Sequence, residues 1–187
     1  MTDVNTLPEC LEYCADLDEK LKSGFLSYRK YNSTKSLQVL AWTKHFDRDL
    51  SRGESHEHIV LQYLQKFYPS AYKIDGYFKG YDIFIPEIES GIEVKYDYAS
   101  NRTGNILIEL EFPVGTPSAL RTTEAVWWFI TDGKDYFSIR PSNIENFAIK
   151  NNIKAIQKRG DGDAEPKLVW LLPKKKFLKA CTKIKIN

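Results

Sequence analysis

Apolar and polar positions follow two different periods along this chain, and each period predicts a different kind of element. Ile59, Val60, Tyr63, Leu64 and Phe67 recur at intervals of three and four, which puts them on one stripe of a helix. Ser51 and Glu54 precede the stripe with the spacing of a capping box, in which each residue satisfies an open amide of the other's turn. Pro69 stops the helix. The period then changes to two. Tyr81–Pro86 is a short run of strand formers, Glu87–Gly91 reads as a turn, and Ile92–Asp97 and Asn105–Phe112 alternate apolar with polar residues. Pro117–Glu124 predicts a turn or short helix. Ala125–Thr131 predicts a buried strand, and Asp132–Asp135 a hairpin turn into Tyr136–Arg140. Ser142, with Glu145 three residues on, predicts a capped helix over 143–152. Leu168–Leu172 reads as a strand and Lys174–Cys181 as helical. Before all of this, 8–22 reads as a short helix, and 33–48 as a helical segment anchored by Leu37, Val39, Leu40 and Trp42. The sum is an N-terminal helical extension over 1–50 and an α/β (α+β) domain over 51–187 with a mixed central sheet.

Composition narrows the class. With 187 residues, 42% of them hydrophobic and 13% aromatic, the chain has the makings of one folded domain with a modest appendage. No apolar run approaches the ~18 residues of a membrane helix, and the polar, acidic start MTDVNTLPEC does not read as a signal peptide. The expected compartment is the cytoplasm. Cys10, Cys14 and Cys181 are too few and too scattered for a disulfide framework or a zinc site, and read as ordinary thiols. No Gly-rich phosphate cradle is present. Charge is uneven: from Asn146 onward there are eleven Lys/Arg against three Asp/Glu, and before it sixteen against twenty-two. A basic C-terminal surface would attract a phosphate backbone, and an acidic region divalent cations.

The alternation carries the sharpest chemical signal. Ile92, Val94 and Tyr96 point to one face of their strand, and Glu93, Lys95 and Asp97 to the other. Ile83 and Ile85 face the core, which leaves Asp82 on the opposite side, and a hairpin brings Asp82 near Glu93 and Lys95. On the third strand Asn105, Glu109 and Glu111 share a face, so polar groups are expected to converge on one side of three neighbouring strands. Two close carboxylates call for a cation between them, and oxygen ligands without His or Cys suit Mg²⁺ or Mn²⁺. A bound metal lowers the pKa of its water, and a lysine beside it orients that water and screens charge developing on phosphate. These residue types point to metal-assisted phosphodiester hydrolysis. The bland reading is a solvent-facing hairpin with cross-strand Glu–Lys pairs.

Asp82, ten intervening residues and then Glu93-Val94-Lys95 resemble the D-x(n)-ExK signature of the PD-(D/E)XK nuclease superfamily. The predicted helix, hairpin and third strand are similar to the restriction-endonuclease-like αβββαβ core. Thr103-Gly104-Asn105 ahead of Glu109, then Pro117–Ala125 and Trp127-Trp128, resemble phage-encoded members. The resemblance spans roughly residues 51–172, with Tyr81 where the signature's proline would precede Asp82. It implies that Asp82 and Glu93 hold Mg²⁺ (or Mn²⁺) with the Val94 carbonyl, and that Lys95 stands near the attacking water. Many members add a helix glutamate, for which Glu57 is the candidate: it lies within about 40° of Leu61 and Leu64 on the helix and so faces the sheet. An inward glutamate needs a metal or a cation as partner.

Glu109 is a weaker candidate, with pairing to Lys95 as its alternative. Arg102, Thr103, Asn105 and Arg121, with Ser118, Thr122 and Thr123, are loop groups able to contact phosphates. His45, His56 and His58 read as surface or capping residues, and of the adjacent Trp127 and Trp128 one should face the core and the other the opposite face of their strand. The resemblance implies a DNA endonuclease of phage origin, acting in the host cytoplasm, with a homodimer as one arrangement. The competing expectation is a nucleic-acid- or protein-binding module on the same scaffold, without turnover.

Overall fold

The computed structural model describes residues 52–75, 78, 80–160 and 163–186. The expected extension over 1–50, its helices, Cys10, Cys14, His45 and the Ser51 cap lie outside the described residues. The helical stripe forms α1 over residues 52–65. It buries Val60 and Leu64 against Ile83, Ile85, Ile92 and Phe129, with Leu61 and Tyr63 partly covered. Phe67, expected in the stripe, falls beyond the helix and is 63% exposed, because the Phe67 and Tyr68 N–H groups both turn onto the Leu64 carbonyl ahead of Pro69.

Two sheets follow. The larger has the order β1 (Tyr72–Lys73), β2 (Ile83–Ile85), β3 (Ser90–Tyr96), β5 (Ala125–Thr131), β6 (Tyr136–Ile139) and β9 (Thr182–Ile184). The smaller has β4 (Asn105–Glu111), β8 (Lys167–Pro173) and β7 (Ile156–Lys158). The larger sheet is mixed: β3 and β5 run parallel and its other neighbours antiparallel. β2 and β3 form the expected hairpin, closed by a 3₁₀ turn over Pro86–Ile88 with Glu89 left-handed at φ 46°. Gly91 is required within it, since a Cβ there would meet the Tyr81 ring at 2.3 Å.

The strand after β3 departs from the expected order. β4 was predicted beside β3, but it pairs with β8 in the second sheet, and β3 takes β5 as its other neighbour. A parallel pair needs a long crossover, and residues 97–124 supply it through α2 (Ser100–Thr103) and β4. Asp97, only 8% exposed, turns the chain out of the first sheet. Its carboxylate accepts the Ser100 N–H at 3.0 Å and the Leu107 N–H at 2.8 Å, which fixes α2 and β4 together.

The larger sheet thus has two covered faces. Ile92, Val94, Trp127 and Phe129 face α1. Trp128 and Ile130 face the second core, with Ile106, Ile108 and Leu110 of β4, Leu172 of β8, and Ile144, Phe147 and Ala148 of α3 (Pro141–Lys150). The two tryptophans point to opposite faces, as alternation predicts. α3 begins earlier than expected and without the Ser142 cap: Pro141 occupies its first turn, where its missing N–H costs nothing, and Arg140 precedes it. The predicted C-terminal helix is α4 (Lys174–Phe177) followed by a 3₁₀ turn over Leu178–Ala180. Among the described residues, no helix is long and apolar enough to cross a membrane.

Candidate functional site

The hairpin brings together the residues that alternation selects. The Asp82 N–H donates to the Ile92 carbonyl at 2.9 Å, and its own carbonyl accepts the Ile74 N–H at 2.8 Å, so the residue is pinned at the end of the β2 ladder. Its Oδ2 accepts the Val94 N–H at 2.7 Å. A strand residue directs its N–H and C=O to the same lateral edge. The Val94 carbonyl therefore shares the edge on which Asp82 stands, just beyond the last paired residue of β2. Glu93 and Lys95 are in register with Trp128 and Ile130, and so leave β3 on the face of the second core. Asp82, Glu93 and Lys95 are half-buried together, at the place where β2 has ended and β3 continues.

The charges are frustrated. Burial raises the pKa of Asp82, with the Glu57 charge adding to it, against the lowering effects of the Val94 N–H and Lys73. Burial raises that of Glu93 further, with the negative charges of Asp82 and Glu57 adding to it and Lys95 opposing. The Glu93 side chain forms no hydrogen bond or ion pair among the described residues. A cation placed between two such half-buried carboxylates would lower both pKa values and stabilise both charges.

Glu57 of α1 is also close, since its charge acts on both carboxylates. Its partner is Lys73, whose Nζ lies 2.7 Å from Oε2, with 18% of the glutamate side chain exposed. The helix glutamate does face inward, and the cation it meets is a lysine. Lys73 escaped the sequence reading because β1 is only two residues long and shows no period. His56, expected at the surface, packs instead against the sheet. Its ring lies 4.4 Å from that of Tyr96, its Nδ1 is 2.6 Å from the Tyr136 hydroxyl, and burial lowers its pKa. This contact anchors the first half of α1, one residue before Glu57.

The third-strand candidates are elsewhere. Glu109 accepts the Ser118 hydroxyl at 2.6 Å and pairs with Lys167 at 3.2 Å rather than with Lys95. Glu111 is held by Arg121 and by the Gly115 N–H. Thr103 and Asn105 bond each other across Gly104, and Arg102 is exposed on α2. The contacts of Glu109, Glu111, Thr103 and Asn105 thus lie within β4, its turns and the neighbouring Lys167, because β4 belongs to the other sheet. Thr123 is likewise structural: its Oγ1 donates to the Gly80 carbonyl and accepts the Trp128 indole N–H at 3.1 Å. The basic C-terminal segment is partly neutralised in place, through Lys167 with Asp163, Lys174 with Asp132, and Lys183 with Asp135. Cys181 is a free thiol whose pKa burial pushes up to about 12.

No grouping of three or more His, Cys, Asp or Glu side chains among the described residues is arranged to hold an ion. Asp82 and Glu93 are a pair. Two carboxylates with a nearby backbone carbonyl nonetheless suit Mg²⁺ or Mn²⁺, which keep several waters and ask for one or two carboxylates. Neither nitrogen nor sulfur donors accompany them, so the set does not suit zinc. Comparisons with protein-family models, with curated proteins and with solved structures gave no match.

Proposed function

We propose that this chain is a metal-dependent nuclease of the PD-(D/E)XK type, hydrolysing DNA phosphodiester bonds. One observation carries the reading: Asp82, Glu93 and Lys95 meet at the end of a hairpin, where burial and the neighbouring carboxylates hold both carboxyl groups above their ordinary pKa. Asp82 and Glu93, with the Val94 carbonyl, would hold Mg²⁺ or Mn²⁺. When bound, the metal acidifies a water and offsets charge on the phosphate. The chain's own residues supply the rest. The Val94 N–H fixes one oxygen of Asp82 and leaves the other free. Lys95 Nζ, one period beyond Glu93 on the same face, orients the attacking water and stabilises the charge that builds on the phosphate oxygens. Lysines of the C-terminal segment outside the ion pairs would track the DNA backbone. An endonuclease of phage origin, working as a homodimer in the host cytoplasm, is the finer form of the proposal and rests on the motif resemblance alone.

The test is cleavage of supercoiled, linear, single-stranded and branched DNA with Mg²⁺, Mn²⁺ or EDTA. Asp82→Ala and Lys95→Ala should each lower metal-dependent cutting at least ~100-fold, the usual scale for losing a catalytic acid–base or electrostatic group. Unchanged cutting in either variant would refute the assignment. A second reading, a binding module without turnover, draws on the Glu57–Lys73 pair, which removes the third acidic ligand many members use. DNA binding that persists with no cutting on any substrate, and no carboxylate-dependent metal binding, would favour it.

A further inference from the structure

Lys73 sits where it can answer the same electrostatic demand as a metal. It is the register partner of Ile83, the residue after Asp82, and so is on the α1 side of the sheet. From there it makes a 2.7 Å ion pair with Glu57. Its positive charge is felt at Asp82, and it feels the negative charges of Glu57, Glu54 and Asp82 in return. Both partners are substantially covered, with 34% and 18% of their side chains exposed, so the pair is better shielded from water than a surface salt bridge. Lys95 is the other lysine whose charge acts on this cluster, and it acts on Glu93. The two cations are thus shared out among three carboxylates.

We propose that Lys73 is a built-in competitor of the divalent cation: it keeps Glu57 out of the ligand set and holds the metal affinity of the Asp82–Glu93 pair low. The proposal rests on the metal-dependent reading of that pair. Lys73 is a positioning residue, touching neither metal nor substrate, and two effects follow from its charge. It repels a doubly charged ion, and it occupies the glutamate that would otherwise approach that ion. A site tuned in this way loads its metal fully only when a phosphodiester adds negative charge of its own.

Mn²⁺ binding to the full chain without DNA, followed by calorimetry and by the electron paramagnetic resonance of free Mn²⁺, tests this directly. Lys73→Met should bind Mn²⁺ roughly tenfold more tightly than the parent, the effect one unit charge exerts on a divalent ion through a largely solvated path. Lys73→Arg, which keeps charge and pair, should match the parent. Lys73→Met combined with Glu57→Gln should fall back toward parental affinity, because the freed carboxylate is gone. Lys73→Gln serves as the neutral variant if the methionine is poorly folded, with far-UV circular dichroism as the check on folding. Unchanged or weaker Mn²⁺ binding in a folded neutral variant, with parental binding still lost in Asp82→Asn, overturns the role of Lys73 and leaves the metal site standing. Parental binding that survives Asp82→Asn, or no binding at all, overturns both.

Discussion

Glu93→Gln should stabilise the metal-free protein while destroying its metal response. The Glu93 side chain has no hydrogen-bond or ion-pair partner among the described residues, and burial, Asp82 and Glu57 all disfavour its charge. A carboxyl whose folded pKa lies above its unfolded value binds its proton more tightly in the folded state. Stability is therefore greatest below the unfolded value, and declines as pH rises from about 4.5 through the raised folded value. Each pH unit of displacement corresponds to about 1.4 kcal/mol. Water still reaches part of the pair, so screening must be allowed for, and the loss at pH 8 comes to roughly 2–3 kcal/mol. Glutamine has nearly the same shape and no charge, and removes that loss.

Urea denaturation of the parent and Glu93→Gln from pH 5 to pH 9, in EDTA, measures it. The two should be nearly equal in stability at pH 5. At pH 8 the variant should exceed the parent by roughly 2–3 kcal/mol, with a flatter dependence on pH. Added Mn²⁺ should raise the parent's stability by mass action and leave the variant unmoved. Equal pH slopes for the two proteins, or a variant less stable at pH 8, would refute the claim that burial and the neighbouring carboxylates disfavour the charge of Glu93.

Two further substitutions probe the frame that positions the hairpin. Asp97→Ala strips the carboxylate acceptor from the Leu107 N–H and from the Ser100 N–H, which keeps the Asp97 main-chain carbonyl; at ~1–3 kcal/mol for the one donor left unpaired, the loss should be about 2 kcal/mol by urea denaturation, and a loss below about 0.5 kcal/mol would mean that Asp97 does not hold α2 and β4 together. Gly91→Ala sets a methyl group 2.3 Å from the Tyr81 ring, so a destabilisation of ~1–3 kcal/mol is expected, most of it recovered on a Tyr81→Ser background; no recovery would place the strain elsewhere.

The sequence exposed the hairpin residues because every inference about them was local. Asp82 and Glu93 are joined by one tight turn, and the strict period of two fixes which side Glu93 and Lys95 take. The neighbour of β3 was a different kind of question, since it depends on how the chain returns after leaving the strand. Alternation in Asn105–Glu111 made β4 look like the natural third strand, yet alternation marks a strand with one covered face. The continuous apolar run Ala125–Thr131 was the better signal. A strand apolar on both sides belongs in the interior of a sheet covered on both faces, as β5 is between α1 and the second core.

Glu57 shows where such reasoning stops having purchase. Its helical phase with Leu61 and Leu64 established that it faces inward, and a buried carboxylate then requires positive charge. A divalent ion and a lysine satisfy that requirement equally well, so no property of α1 distinguishes them. What decides is the register of a two-residue edge strand, which sets Lys73 opposite Ile83 and brings its ammonium to Glu57. That register follows from the backbone bond between Ile74 and Asp82. The residue that ends the β2 ladder and heads the candidate catalytic set thus also fixes the lysine that occupies the helix glutamate. Asp82 couples the two halves of the site through the backbone as well as through charge, and a substitution that altered only its carboxylate would leave the Glu57–Lys73 pair in place.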